Sequence, residues 1–289
     1  MPENQASTCP VPSGILVIIG GKENKGGQQV ENRETPEGFH PLQIHKHFLD
    51  LVQKDDPLIE IITTASGDGD ESFEDYKKVF EEMGVKRIGH IRHKTRKQVL
   101  EEDVSSRVKE ANAFFFTGGD QLLLTSIYGG TAFLTELKKR YISERIVIAG
   151  TSAGAMALST PMIYAGNAEV QLLTGQIKVT TGLEFLKDVC IDTHFVHRGR
   201  FIRLAQVIAT NATCIGLGIE EDTAVIVTNG VDAKVIGSGT VIVMDGFNIT
   251  DSNVRDFTEK RPVTIRDLRV DILADQQTFT IPQTNPPHI

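Results

Sequence analysis

Long hydrophobic runs are missing from this chain of 289 residues. The first apolar stretch, 15–19, is too short for the roughly 7–15-residue core of a signal peptide or the ~20 residues of a membrane span. Cysteine is scarce: three, at Cys9, Cys190 and Cys214, odd in number and far apart. That excludes a disulfide framework and a cysteine-built zinc site. Cys190 and Cys214 lie in apolar runs and read as small core residues in a reducing compartment. Positive charge is in deficit, with 30 Lys and Arg against 38 Asp and Glu. The net charge of −8 argues against a general nucleic-acid or anionic-membrane binder. No H-x-x-x-H or H-E-x-x-H pattern occurs, and His45 and His47 point to different sides of a helix, so no catalytic metal is expected. Gly20-Gly21-Lys22 and Gly26-Gly27 match neither G-x-x-x-x-G-K-[ST] nor G-x-G-x-x-G, so no nucleotide and no other cofactor is expected. What is present is a globular composition, 40% apolar and 24% charged, long enough to bury a full core. The expectation is a soluble, cytoplasmic protein of one domain, 1–289, with a flexible start at 1–13.

Short apolar strands alternate with amphipathic helices over the first 200 or so residues. Strands are expected at 15–19, 59–64, 85–91, 113–117 and 145–149. Helices are expected at 41–53, 72–83, 97–111 and 122–141, the last broken near Gly129-Gly130. In the 97–111 helix, Val99, Leu100, Val104 and Val108 should face inward. This alternation implies an α/β fold, a mostly parallel sheet flanked by helices. Ligands in such sheets bind beyond the carboxyl ends of the strands. After Asp222 the pattern turns to strands at 223–228, 233–237 and 240–244, separated by the hairpin signals Asn229-Gly230 and Ser238-Gly239. A β-rich C-terminal extension over about 223–289 is expected.

Gly150-Thr151-Ser152-Ala153-Gly154 fits G-x-S-x-G between a strand and a helix. In that context the turn pushes the serine out of the sheet as a nucleophile. The helix start behind it leaves the Ala153 N–H unpaired and able to hold an oxyanion. A serine needs a base. His40, His45, His47, His90 and His93 sit in polar or helix-surface settings, and His288 lies in the tail. His194 closes the run Asp192-Thr193-His194-Phe195 at a strand end and is placed to meet Ser152. His197 is the rival base. An acid must orient the histidine; Glu169, Glu184, Asp192, Glu220, Glu221 and Asp222 are all open. Arg198, Arg200 and Arg203 follow His194 as R-x-R-x-x-R, a pattern that suits a carboxylate-bearing substrate if Arg198 opens a helix. The alternative is a solvated basic stretch paired with Glu220, Glu221 and Asp222. Gly118-Gly119-Asp120-Gln121 offers a second oxyanion donor and a substrate contact, or simply a turn with Asp120 as helix cap.

These motifs together resemble the cyanophycinases, serine exopeptidases of the peptidase S51 group related to aspartyl dipeptidase (peptidase E). They are Thr117-Gly118-Gly119-Asp120-Gln121, Gly150-Thr151-Ser152-Ala153-Gly154-Ala155, Asp192-Thr193-His194-Phe195 with the three arginines, and the acidic segment Gly218-Ile219-Glu220-Glu221-Asp222-Thr223-Ala224. The resemblance runs from about 14 to 244. It implies a class I glutamine-amidotransferase-like fold with a nucleophile elbow, a homodimer, and hydrolysis of cyanophycin to β-aspartyl-arginine dipeptides by a Ser–His–acid triad. It implies Ser152 and His194 as catalytic residues and Gly119 and Ala153 as oxyanion donors. The family's acid lies between serine and histidine, and Glu169 is the only acid in the matching segment, so Glu169 is expected to orient His194. Gln121, Asp192, Arg198, Arg200 and Arg203 match substrate positions, and Glu220, Glu221 and Asp222 are expected to take the substrate guanidinium. His197 stands where the family usually has a polar residue such as glutamine. The rival functions are a peptidase E-like α-aspartyl dipeptidase and a non-catalytic binding protein on the same fold.

Overall fold

The computed structural model describes residues 10–26, 37–103, 105–166, 171–256 and 260–282. Cys9, Val104 and Glu169 lie outside these. Five strands run parallel: β1 (Ile15–Ile19), β2 (Leu58–Ile62), β3 (Arg87–Ile91), β4 (Ala113–Phe116) and β5 (Val147–Thr151), in the order β1-β5-β4-β2-β3. β1, β4 and β5 are buried at every residue, as a sheet covered on both faces requires. The two-residue period of a strand divides their side chains between the faces. Leu16, Ile18, Phe114, Phe116 and Ile148 pack with the helices Gln121–Tyr128 and Ala132–Ser143. Val17, Ile19, Phe115 and Ala149 pack with the helices Gln43–Val52 and Gly69–Glu82.

The sheet is only partly parallel. Strands Thr223–Thr228, Asp232–Gly237 and Thr278–Thr280 extend it antiparallel from the β1 edge. A second sheet of six strands was not expected. At its centre Val189–Thr193 runs parallel to Ile215–Ile219, which pairs antiparallel with Val241–Asp245. The described residues after 223 are β-rich, as expected, but their strands divide between the two sheets. Asn229-Gly230 does close a hairpin, but Ser238-Gly239 is where the chain crosses from one sheet to the other. The two sheets share one hydrophobic core, which runs from Leu16 and Phe116 to Cys190, Leu217 and Val241.

Two further expectations fail. The 97–111 helix is two, Arg96–Glu101 and Ser105–Glu110, and Leu100 is 65% exposed. The capping box of Thr95 and Gln98 starts the first of them. His45 and His93 are buried rather than on the surface. Both follow from positions sequence reasoning undervalued. His45 lies three residues before Phe48 on the apolar stripe, and His93 bonds to Tyr128 and Glu102 just past β3. No helix among the described residues is long and apolar enough to cross a membrane.

One buried carboxylate lies on the strand next to the sheet edge. Glu60 on β2 is 2% exposed and accepts a fork from Arg107 at 3.0 and 2.6 Å. Removing one partner strands the other in a dry site. Arg107→Met is expected to lower stability by about 3 kcal/mol, the low end for a broken buried pair. Adding Glu60→Leu should recover most of that loss. Urea denaturation of the single and double variants measures both; a single variant as stable as wild type would show that water reaches Glu60.

Candidate active site

Ser152 sits between β5 and the helix Ala153–Ala157 with φ 52° and ψ −115°. A non-glycine residue with that backbone is strained, and a strand-to-helix elbow is where such strain occurs. The turn is tight: a Cβ on Gly154 would lie 2.3 Å from the Phe116 carbonyl oxygen. The result is a serine side chain that stands clear of the sheet. Its Oγ lies 2.8 Å from His194 Nε2. His194 directly follows Val189–Thr193 and is also left-handed, at φ 49°. Its Nδ1 lies 2.7 Å from Glu221 Oε1. Glu221 can only accept, so Nδ1 carries the proton and Nε2 is the acceptor facing the serine hydroxyl. Ser152 thus comes from the first sheet, His194 from the second, and Glu221 from the crossing between them.

His194 and Glu221 are both under 5% exposed. Burial lowers the His194 pKa, the hydrogen bond to Glu221 opposes it, and Arg198 and Arg200 push it further down; the net direction is below the usual value. For Glu221, burial acts upward, but the hydrogen bond and charge of His194, with Lys22 and His197, outweigh it and hold the carboxyl below its usual range. A neutral base beside an ionised acid is the resting state that proton abstraction from a serine needs.

Ser152 opens into a cavity of about 390 Å³ lined also by Gly119, Gln121, Tyr164, Thr193 and Arg198, with Arg200 and Arg203 on the same wall. Gln121 is fixed by a bond from its amide to the Ile163 carbonyl at 2.7 Å. Asp120 caps the helix that Gln121 begins. Ala153 opens its helix directly after Ser152, and its N–H falls in the first turn, where no intrahelical acceptor exists. Gly119 borders the cavity across from it.

Several expected contacts lie elsewhere. The bond to His194 assigned to Glu169 is made by Glu221, and Glu169 is outside the described residues. Glu221 is therefore turned inward, not toward a substrate guanidinium. Glu220 accepts from the backbone N–H groups of Val196 and His197 at 2.5 and 3.1 Å. Asp222 accepts from the Asn24 N–H and the Ser238 hydroxyl. Glu184 pairs with Lys138 at 2.9 Å. Asp192 is fully buried beneath the arginines, 2.5 Å from Arg203 and 3.3 Å from Arg200. The helix opens at Phe201 with Arg200 as its cap, not at Arg198. Arg200 and Arg203 are thus neutralised in part by Asp192 rather than by the acidic segment, and burial draws the Arg200 pKa down to about 10. Arg198 is exposed, and its guanidinium has no partner among the described residues. His197 is exposed and makes no contact with Ser152. Sequence reasoning passed over Thr193, whose buried hydroxyl has no partner and which lines the cavity.

A serine, a histidine and a carboxylate in line beside a strand-to-helix elbow have the arrangement of a serine hydrolase, and the comparisons make the class specific. The family model for peptidase family S51 matches residues 34–236, and the chain belongs to that family. It is 29% identical over 268 residues to a cyanophycinase of Synechococcus elongatus, covering 93% of this chain and 79% of the relative. It is 28% identical over 288 residues to a cyanophycinase of Nostoc sp., covering 98% and 92%. A crystal structure of a peptidase from an acI-B1 Actinobacterium shares the fold, with a TM-score of 0.63 at 18% identity over 94% of this chain and 98% of that one. The protein is a peptidase.

The charges around His194 set an expected pH profile. Burial and the nearby arginines hold the His194 pKa below the usual histidine value. The acid limb of kcat/KM should fall below pH 6.5, the ordinary histidine value. Arg198→Gln removes a positive charge and should move that limb upward, whatever it does to the rate. A limb that stays in place would show that Arg198 does not act on the imidazole.

Proposed function

We propose that the chain is a serine-type exopeptidase that hydrolyses cyanophycin to β-aspartyl-arginine dipeptides. The observation that carries this is the Ser152–His194–Glu221 relay, opening into an arginine-walled cavity in a member of family S51. His194 takes the Ser152 proton as Oγ attacks the peptide carbonyl between aspartyl units. The Ala153 and Gly119 N–H groups hold the oxyanion. Glu221 stabilises the imidazolium, which then protonates the leaving amine. Water hydrolyses the acyl-enzyme by the same route in reverse. Arg198, with Arg200 and Arg203 behind it, takes a substrate carboxylate. The same reading includes a homodimer working in the cytoplasm, as the resemblance implies.

Incubation with insoluble cyanophycin, followed by mass spectrometry of the soluble products, is the direct test. β-Aspartyl-arginine is expected; no release would overturn the substrate. Ser152→Ala should keep its circular dichroism and lose about 10³-fold or more in turnover. Glu221→Gln should cost a comparable factor in kcat with little change in KM, because orientation and imidazolium stabilisation matter most in the transition state. An active Glu221→Gln enzyme would return the role to another acid.

Arginine at 198 presents a fork that lysine lacks. Arg198→Lys is therefore expected to cost roughly tenfold in kcat/KM, the scale of one charged hydrogen bond. The loss should shrink on substrate analogues whose terminal carboxylate is amidated. Equal losses on both substrates would remove the carboxylate contact.

A further inference from the structure

The loop after β1 is not a phosphate cradle, and none of the steps above uses it. It is nonetheless bonded to every part of the relay. Three successive carbonyls accept from three separate segments. Ile19 accepts from the Ser152 N–H at 3.0 Å, Gly20 from the His194 N–H at 2.9 Å, and Gly21 from the Asp222 N–H, beside Glu221, at 2.9 Å. Gly21 also lies flat against the imidazole: with φ +98°, a Cβ there would stand 2.5 Å from His194 Nε2. Lys22 Nζ is 3.4 Å from Glu221 Oε1. Further along, the Asn24 N–H donates to Asp222 Oδ1 at 2.9 Å.

Two glycines and a half-exposed lysine do not fix such a loop by packing. Glu23 does. Its side chain turns inward and the residue is 4% exposed. One carboxylate oxygen accepts from the Tyr76 hydroxyl at 2.5 Å. The other accepts from Thr151 Oγ1 at 2.7 Å, and Thr151 is the chain neighbour of Ser152. Burial works to raise its pKa, but His45 and the two hydroxyls outweigh that, so the group is held ionised. A carboxylate in the interior is costly unless it is fully bonded. Here it is bonded on one side to the nucleophile's strand and on the other to a helix of the main layer.

We propose that Glu23 is a positioning residue for the relay. Its buried carboxylate clamps the loop to the strand that carries Ser152, and the loop in turn keeps His194 and Glu221 in line with the nucleophile. Glu23 touches no reacting atom. The proposal rests on the reading of Ser152 as nucleophile.

The test is the rate at which a fluorophosphonate labels Ser152 in the full chain, with kcat and KM on cyanophycin measured alongside. Glu23→Gln keeps the shape and removes the charge. It should label about tenfold or more slowly, the scale of a sub-ångström misplacement. Its kcat should fall in parallel while KM and circular dichroism hold. Tyr76→Phe removes one of the two donors and should show a smaller loss of the same kind; it decides the matter if Glu23→Gln does not fold. Labelling indistinguishable from wild type in the folded variants, or a loss that only tracks the folded fraction, would overturn the clamp while leaving the nucleophile in place. A wild-type chain that does not label would instead sink the nucleophile reading, and the clamp with it.

Discussion

Everything at the active end of this molecule hangs on the last turn of β1. The carbonyls of Ile19, Gly20 and Gly21 take the N–H groups of Ser152, His194 and Asp222 in succession. Ser152 follows a strand of the first sheet, His194 follows a strand of the second, and Asp222 lies in the crossing between them. Four residues around the splice, Lys22, Ser152, His194 and Asp222, have positive φ. Each is a conformation that an isolated chain rarely populates, and it persists only where the surroundings over-determine it. The splice supplies that over-determination. It fixes each backbone by a bond from outside its own segment, so side chains on three strained turns converge to hydrogen-bond distance.

The acids near the site share one behaviour. Asp192, Glu220 and Glu221 are each under 5% exposed, and each accepts from a cation, an imidazole or backbone N–H groups inside the protein. Asp222 accepts in the same way from Asn24 and Ser238. Read from the sequence they form an acidic surface suited to a guanidinium. In the structure they are the internal counterparts of the basic groups around them, as buried carboxylates have to be. Among the described residues the cavity wall carries three arginines, and the carboxylate of Asp192 lies beneath two of them, Arg200 and Arg203. Burial first, and the positive charge of Arg198 and Arg200 after it, hold the His194 pKa below its usual value against the opposing bond to Glu221.

What the sequence made legible was local. The elbow is five consecutive residues whose small side chains answer to one crowded turn, so Ser152 could be read without any tertiary knowledge. His194 was readable because a strand end next to glycine-rich strand ends has few other places to go. β1 to β5 showed themselves as short apolar runs. The second sheet did not, since two of its six strands are only two residues long. Its turn at Ser238-Gly239 also has the composition of a hairpin. The contact of Glu221 with His194 was not read for a related reason. The resemblance placed the acid between serine and histidine, whereas the residue that meets His194 lies 27 residues beyond it.

That distance is explained by register. Val189–Thr193 and Ile215–Ile219 are parallel neighbours, with Thr193 opposite Ile219. Parallel strands in register release their chains side by side, so residues 194 and 220 leave the sheet together. Glu220 then turns to the backbone N–H groups of Val196 and His197 and pins the exit of the histidine strand. Glu221, the next residue, faces the imidazole. An acid just past the end of the strand beside the histidine's own is thus delivered to Nδ1 by sheet geometry alone. With the second sheet in view, the two adjacent glutamates divide the work: one holds the turn after His194, and the other bonds to the imidazole itself.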